Sequence, residues 1–149
     1  MKRLFLMSAF AMQFIAAATT AQQLPQLQVP SLVLNSFQQS FPKPYDVEWE
    51  MDGELYKVEF ETGWFGPDHD AWFDKTGKLI RLKEEISKDN LPPVILGKIS
   101  SDFSGYKVDD VKKITEGEKV VFVIDLETSA QEWKVAFDLE GNLISKVDG

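Results

Sequence analysis

Cysteine is absent from the 149 residues, and histidine occurs once, at His69. Without thiols there is no disulfide scaffold, no thiolate zinc site and no cysteine nucleophile, and a single imidazole excludes a multi-histidine metal centre. Positive charge is also scarce: 16 Lys and Arg stand against 24 Asp and Glu. Two of the 16, Lys2 and Arg3, fall within the first 21 residues, which carry no acid, so beyond Ala21 the chain has 14 bases, 24 acids and a net charge of -10. Such a surface repels phosphate backbones and anionic lipid headgroups, so neither nucleic acid nor a membrane surface is the expected partner. The simplest role of the acidity is solubility.

Long hydrophobic runs are missing as well. The one apolar stretch, Leu4 to Ala18, is broken by Ser8 and Gln13 and is short for a membrane span of about 20 residues. With Lys2 and Arg3 before it and small residues from Ala16 to Ala21 after it, it reads as a secretory signal peptide over residues 1–21, cut after Ala21 or Ala18. The expected location is periplasmic or secreted. The 128 residues that follow can bury about two-thirds of their unfolded surface, and without disulfides they must rely on that core.

What is present in abundance is repetition. At an offset of 62, Pro30, Val33, Leu34, Phe37 and Phe41 fall on Pro92, Ile95, Leu96, Ile99 and Phe103. At an offset of 64, Val58 and Phe60 fall on Phe122 and Ile124, and Phe73-Asp74-Lys75-Thr76-Gly77-Lys78-Leu79-Ile80 falls on Phe137-Asp138-Leu139-Glu140-Gly141-Asn142-Leu143-Ile144. Ordered matches over this length indicate a tandem repeat. Val33, Phe37 and Phe41 make one apolar stripe at helical spacing, as do Ile95, Ile99 and Phe103. Proline at each start suits a first helical turn, and Pro42 and Pro44 end the first helix. Val47, Trp49 and Met51, then Tyr56, Val58 and Phe60, alternate with charged residues as half-buried strands do. Asp52-Gly53 and Glu116-Gly117 mark tight hairpins. The expectation is α+β: two units, residues 22–88 and 89–149, each a helix plus four antiparallel strands, forming one compact domain. A lone helix covers one face of a four-stranded sheet, so the other face meets solvent, the sister unit or a partner.

These marks carry a family resemblance. Ala71-Trp72-Phe73-Asp74-Lys75-Thr76-Gly77-Lys78-Leu79, Leu91-Pro92 and Val135-Ala136-Phe137-Asp138 resemble the PepSY-like, β-lactamase-inhibitor-like periplasmic proteins of Bacteroides-type bacteria, over nearly all of residues 27–148. The resemblance implies a fold like that of the secreted β-lactamase inhibitor protein, in which the helix-free sheet face grips a target enzyme. That inhibitor is disulfide-bonded and this chain has no cysteine. No segment here matches its inhibitory turns, so the resemblance carries no inhibitory residue across.

Candidate site residues follow from alternation and composition. Ala71 and Phe73 point to the helix side, which puts Trp72 on the open face together with Val121 and Val123; these are buried between the two units or form a contact patch for a protein partner. Lys57, Glu59, Glu61, Arg81 and Lys83 would rim that patch. Trp64-Phe65, on a turn flanked by Gly63, Gly66 and Pro67, either folds back on the core, which we expect because aromatic rings dominate small cores, or touches a partner. Asp68-His69-Asp70 could contribute metal ligands or an acid–base pair, yet it offers few ligands and no nucleophile, and a solvated polar turn is the expectation. Lys112-Lys113 reads as solvated. The leading functional reading is a non-enzymatic binding module with a protein partner and no cofactor. The alternatives are a hydrolase or lyase using Asp68, His69 and Glu59, and an envelope component without a discrete site.

Overall fold

The structure, a computed structural model, describes residues 22–149; the signal peptide expected over residues 1–21, with its cleavage after Ala18 or Ala21, lies outside the described residues. After a single 3₁₀ turn, α1 (Ser31–Ser40) leads into β1 (Pro44–Asp52), β2 (Leu55–Thr62), β3 (Asp68–Phe73) and β4 (Leu79–Glu85). A second 3₁₀ turn precedes α2 (Pro93–Asp102), which leads into β5 (Lys107–Glu116), β6 (Lys119–Glu127), β7 (Glu132–Asp138) and β8 (Leu143–Asp148). The eight strands form one antiparallel sheet in sequence order. Pro30 and Pro92 cap the helices, their carbonyls accepting the first N–H bonds from Val33 and Leu34 and from Ile95 and Leu96.

Register decides which side each helix takes. Antiparallel partners share a face. Ala71 pairs with Leu82 and Leu82 with Thr115, and strand alternation carries that face from Thr115 to Val111. Val58, Ala71 and Phe73 pack under α1, and Val111, Phe122 and Val135 under α2. Both helices therefore lie on the same side of the sheet, and the predicted stripe residues Val33, Phe37, Ile95 and Ile99 are all buried. The core beneath α1 is aromatic: the Phe37 ring meets Trp49, Phe60 and Phe73 at centroid distances of 5.3, 5.1 and 6.4 Å. The core beneath α2 is mostly aliphatic, built on Ile95, Ile124, Leu126 and Val135 with Phe122 and Phe137. Each fully buried side chain of this kind contributes about 1.5–3 kcal/mol through removal from water.

The Phe-Asp-x-x-Gly segments tie each helix to its sheet. The Asp74 carboxylate accepts from the backbone N–H groups of Thr76 and Lys78 at 2.8 and 3.1 Å, and that of Asp138 from Glu140 and Asn142 at 3.0 and 2.9 Å. The closing glycine sits where a helix comes close: a β-carbon on Gly77 would stand 2.6 Å from the Leu32 carbonyl, and one on Gly141 2.8 Å from the Val94 side chain. At β1 the outer sheet edge is partly covered, because the Leu24 N–H donates to the Trp49 carbonyl at 2.7 Å. Among the described residues no helix is long and apolar enough to cross a membrane.

Candidate functional site: the helix-free sheet face

Alternation places Glu50 (β1), Lys57 and Glu59 (β2), Asp70 and Trp72 (β3), Arg81 and Lys83 (β4), Ile114 (β5), Val121 and Val123 (β6) and Ala136 (β7) on the face that carries no helix. The pairings run Glu50 to Lys57 to Trp72 to Arg81, then Lys83 to Ile114 to Val121, with Val123 beside Ala136.

In the first half this face is a closed polar network. Lys57 Nζ lies 2.7 Å from Glu50 Oε1, 2.5 Å from Glu59 Oε1 and 3.8 Å from Asp70 Oδ2. Lys83 Nζ contacts the same Asp70 oxygen. Burial works against the Lys57 charge, but the hydrogen bonds from Glu50 and Glu59 and the fields of Asp70 and Glu59 outweigh it and hold the ammonium above its ordinary pKa. Lys57 is a fixed cation at any physiological pH. Trp72 lies on this face, as alternation predicts. Its indole N–H donates to Asp52 Oδ2 at 2.7 Å. Lys57 Nζ and Arg81 Cζ lie over the ring at 5.6 and 5.3 Å from its centroid, within cation–π range. Only 7 % of Trp72 remains exposed. The ring is the floor under two cations and offers no bare apolar surface.

The second half differs. Ile114, Val121 and Val123 are half-buried, next to a buried Ala136, with no helix above them. They form an aliphatic strip continuous with the polar network across the β4–β5 seam.

Three expectations are corrected. Trp64 and Phe65 do not fold back on the core: they are 79 % and 95 % exposed, touching each other edge to face at 6.0 Å. The turn is too tight to return them. The Gly66 N–H bonds the Gly63 carbonyl at 3.2 Å, Phe65 adopts φ 56°, and a β-carbon on Gly66 would stand 1.9 Å from the Thr62 carbonyl oxygen. Asp68-His69-Asp70 is not a solvated turn either, since it opens β3. His69 is 8 % exposed because it pairs with Phe60 on the helix side. Its ring stacks on Phe60 at 5.2 Å, and Nδ1 lies 2.9 Å from the Pro67 carbonyl oxygen. Asp70 points the other way, into the Lys57 and Lys83 contacts. Alternation thus puts His69 on the face opposite Asp68, Asp70 and Glu59. Among the described residues no three His, Asp or Glu side chains converge to hold a metal. Lys112 is not free in solvent: its ammonium lies 3.0 Å from Asp110.

Sequence reasoning also missed a cleft of about 520 Å³ lined by seven acids of β1 to β4 together with Phe60, His69, Lys83 and Lys112; Glu61 and Asp68 bring it to the foot of the Trp64-Phe65 turn. Its signal was available, because Glu48/Glu50, Glu59/Glu61 and Asp68/Asp70 each recur at a spacing of two in adjacent strands.

Fold and open face together define a class: an α+β protein with two helices on one side of an eight-stranded antiparallel sheet. Solved proteins share it. A BLIP-like protein from Bacteroides fragilis is 24 % identical, with a TM-score of 0.64 over 84 % of this chain and 87 % of that one. A "putative periplasmic" protein from Bacteroides eggerthii is 18 % identical, TM-score 0.69, over 80 % and 88 %. A DUF2874 family protein from Bacteroides uniformis is 18 % identical, TM-score 0.67, over 80 % and 88 %. At these identities the likeness concerns the fold. The chain belongs to the family described as "Putative beta-lactamase-inhibitor-like, PepSY-like", whose model matches residues 16–81 and again 54–145. No curated protein matches it.

Proposed function

We propose that this protein is a non-enzymatic periplasmic binding module that takes a protein partner on its helix-free sheet face and the adjoining turns. The observation that carries this reading is the open face itself: an eight-stranded sheet whose second side has no covering layer, with two aromatic rings held in solvent at its margin. Val121 and Val123 supply an aliphatic contact strip. Trp72 holds Lys57 and Arg81 in place as orienting cations, and Trp64 and Phe65 form the edge. Interface energy concentrates in such aromatic and arginine positions, while the charges set orientation more than affinity. The hydrolase or lyase alternative is disfavoured because Asp68 and Glu59 lie across the sheet from His69. Two further points belong to this reading: the helix-plus-four-strands order, which occurs twice, reflects a duplicated unit, and export depends on residues 1–21. The periplasmic label on a protein of the same fold supports the location.

The test is site-specific photo-crosslinking in native host cells. A photoreactive residue at Val123 should trap a discrete protein adduct, and one at Gln38, on the exposed side of α1, should not. Equal trapping at both positions, or none at Val123, would remove the sheet face from consideration.

A further inference from the structure

We infer that the Trp64-Phe65 turn and the acidic cleft beside it form a recognition site for a cationic protein segment, one carrying Arg or Lys next to an apolar side chain. The inference rests on the binding-module reading and names the chemistry of the partner. The exposed rings are its starting point. Large aromatics left in water mark contact sites when the backbone prevents their burial, and this turn prevents it: Phe65 has a left-handed φ of 56°, a strained conformation for a bulky residue.

Charge then selects the occupant. The cleft is lined by seven carboxylates, Asp46, Glu48, Glu59, Glu61, Asp68, Asp70 and Glu85, against two ammonium groups, Lys83 and Lys112. Glu59 and Asp70 are neutralised by Lys57 and Lys83. Asp46, Glu48, Glu61 and Asp68 enter no ion pair among the described residues. Moreover, Glu48 stands directly opposite Glu59, and Glu61 directly opposite Asp68. Like charges in direct cross-strand register destabilise a sheet, so this margin is arranged at the expense of the fold. A guanidinium or ammonium entering the cleft relieves the Glu61–Asp68 repulsion, and the two rings on the turn that joins these strands are available to its aliphatic stem and, by cation–π contact, to its charge. An anionic or purely apolar occupant would leave the carboxylates uncompensated. A lipid surface is the other destination for an aromatic tip, but the surrounding carboxylates oppose insertion.

The experiment measures binding of a short fluorescent Arg/Leu peptide to the exported chain by anisotropy, with the same peptide carrying Glu for Arg as control. The cationic peptide should bind and the acidic one should not. The exposed double variant Trp64→Ser/Phe65→Ser, which keeps the net charge, should weaken binding by about tenfold or more. Glu61→Gln/Asp68→Asn should also weaken it and flatten its salt dependence. A remote pair of equal charge change, Glu118→Gln/Glu140→Gln, should leave it unaltered. Equal loss in the remote and local pairs would reduce the effect to general electrostatics and overturn the inference, as would wild-type affinity in the aromatic double variant. Uptake of the wild-type protein, but not W64S/F65S, by phosphatidylcholine vesicles would make the turn a lipid anchor instead. No peptide binding alongside a persistent Val123 adduct would sink this occupant and leave the binding module standing; peptide binding without that adduct would keep this site and remove the sheet face as the partner surface.

Discussion

The two halves of the sheet agree on one face and disagree on the other. Beneath the helices, Val58 and Phe60 correspond to Phe122 and Ile124, and Phe73 to Phe137, all buried. On the open face the same offset of 64 sets Lys57 against Val121, Glu59 against Val123, Glu50 against Ile114 and Trp72 against Ala136. A covering helix demands apolar residues below it in both halves, whatever else changes. The open face is under no such demand. One half carries an ion network over an indole there; the other sets Ile114, Val121 and Val123 beside the separate ion pairs Lys112–Asp110 and Lys134–Asp125. The lesson is that the face free of packing constraints is where the halves acquire separate properties.

The comparison can be broken most forcefully at the shared face. Phe37→Ala should cost about 3–5 kcal/mol and Ile99→Ala about 2–5 kcal/mol through lost burial and residual cavity. Because β4 and β5 pair within one sheet, denaturant unfolding should remain a single transition in both variants. Two separated transitions would show that the halves are independent units.

The open face should yield the next largest effect, and only in the first half. Trp72→Ala removes a buried indole, its bond to Asp52 and the seat of two cations, at about 2–4 kcal/mol. Ala136→Ser, at the matching place, should stay below about 1 kcal/mol. Equal costs at the two positions would mean that the network over Trp72 is no packing unit. The acidic margin gives a smaller effect of opposite sign. Glu61→Gln should stabilise by about 0.2–1 kcal/mol by removing the repulsion from Asp68, and the gain should shrink in high salt. A loss of stability would show that Glu61 has a cationic partner in solution.

The smallest difference lies in the paired turns. The hydrogen bond from the Thr76 side chain and the backbone N–H groups of Lys78 and Thr76 lower the pKa of Asp74; the Asn142 side chain and backbone do the same for Asp138. A carboxylate whose folded pKa is depressed contributes stability above its unfolded value, and that contribution disappears as pH falls through the folded value. Both turns should therefore loosen only below about pH 4. Carboxyl-carbon titration by NMR should place both midpoints below the ordinary aspartate value, and Asn142→Ala should raise that of Asp138 alone.

Much of this was legible in the residues. The helix stripes of Val33, Phe37, Ile95 and Ile99, the hairpin turns and the assignment of Trp72 to the open face all follow from periodicity, and periodicity is a local property that geometry converts directly into a face. The failures have a common cause. The tendency of aromatic rings to seek burial predicts Trp64 and Phe65 inside, but the Gly63–Gly66 turn allows them no path back. The acids on either side of His69 predict a solvated residue, but strand pairing sets it on Phe60. Alternation assigns Trp72 to the open face, yet its coverage by Lys57 and Arg81 depends on two strands that lie beside β3 only after folding. The sequence by itself therefore determined which side of an element each residue faces. Tertiary structure decided what each one meets there, because cross-strand register joins residues far apart in the chain and a turn's backbone overrides the solvent preference of its side chains.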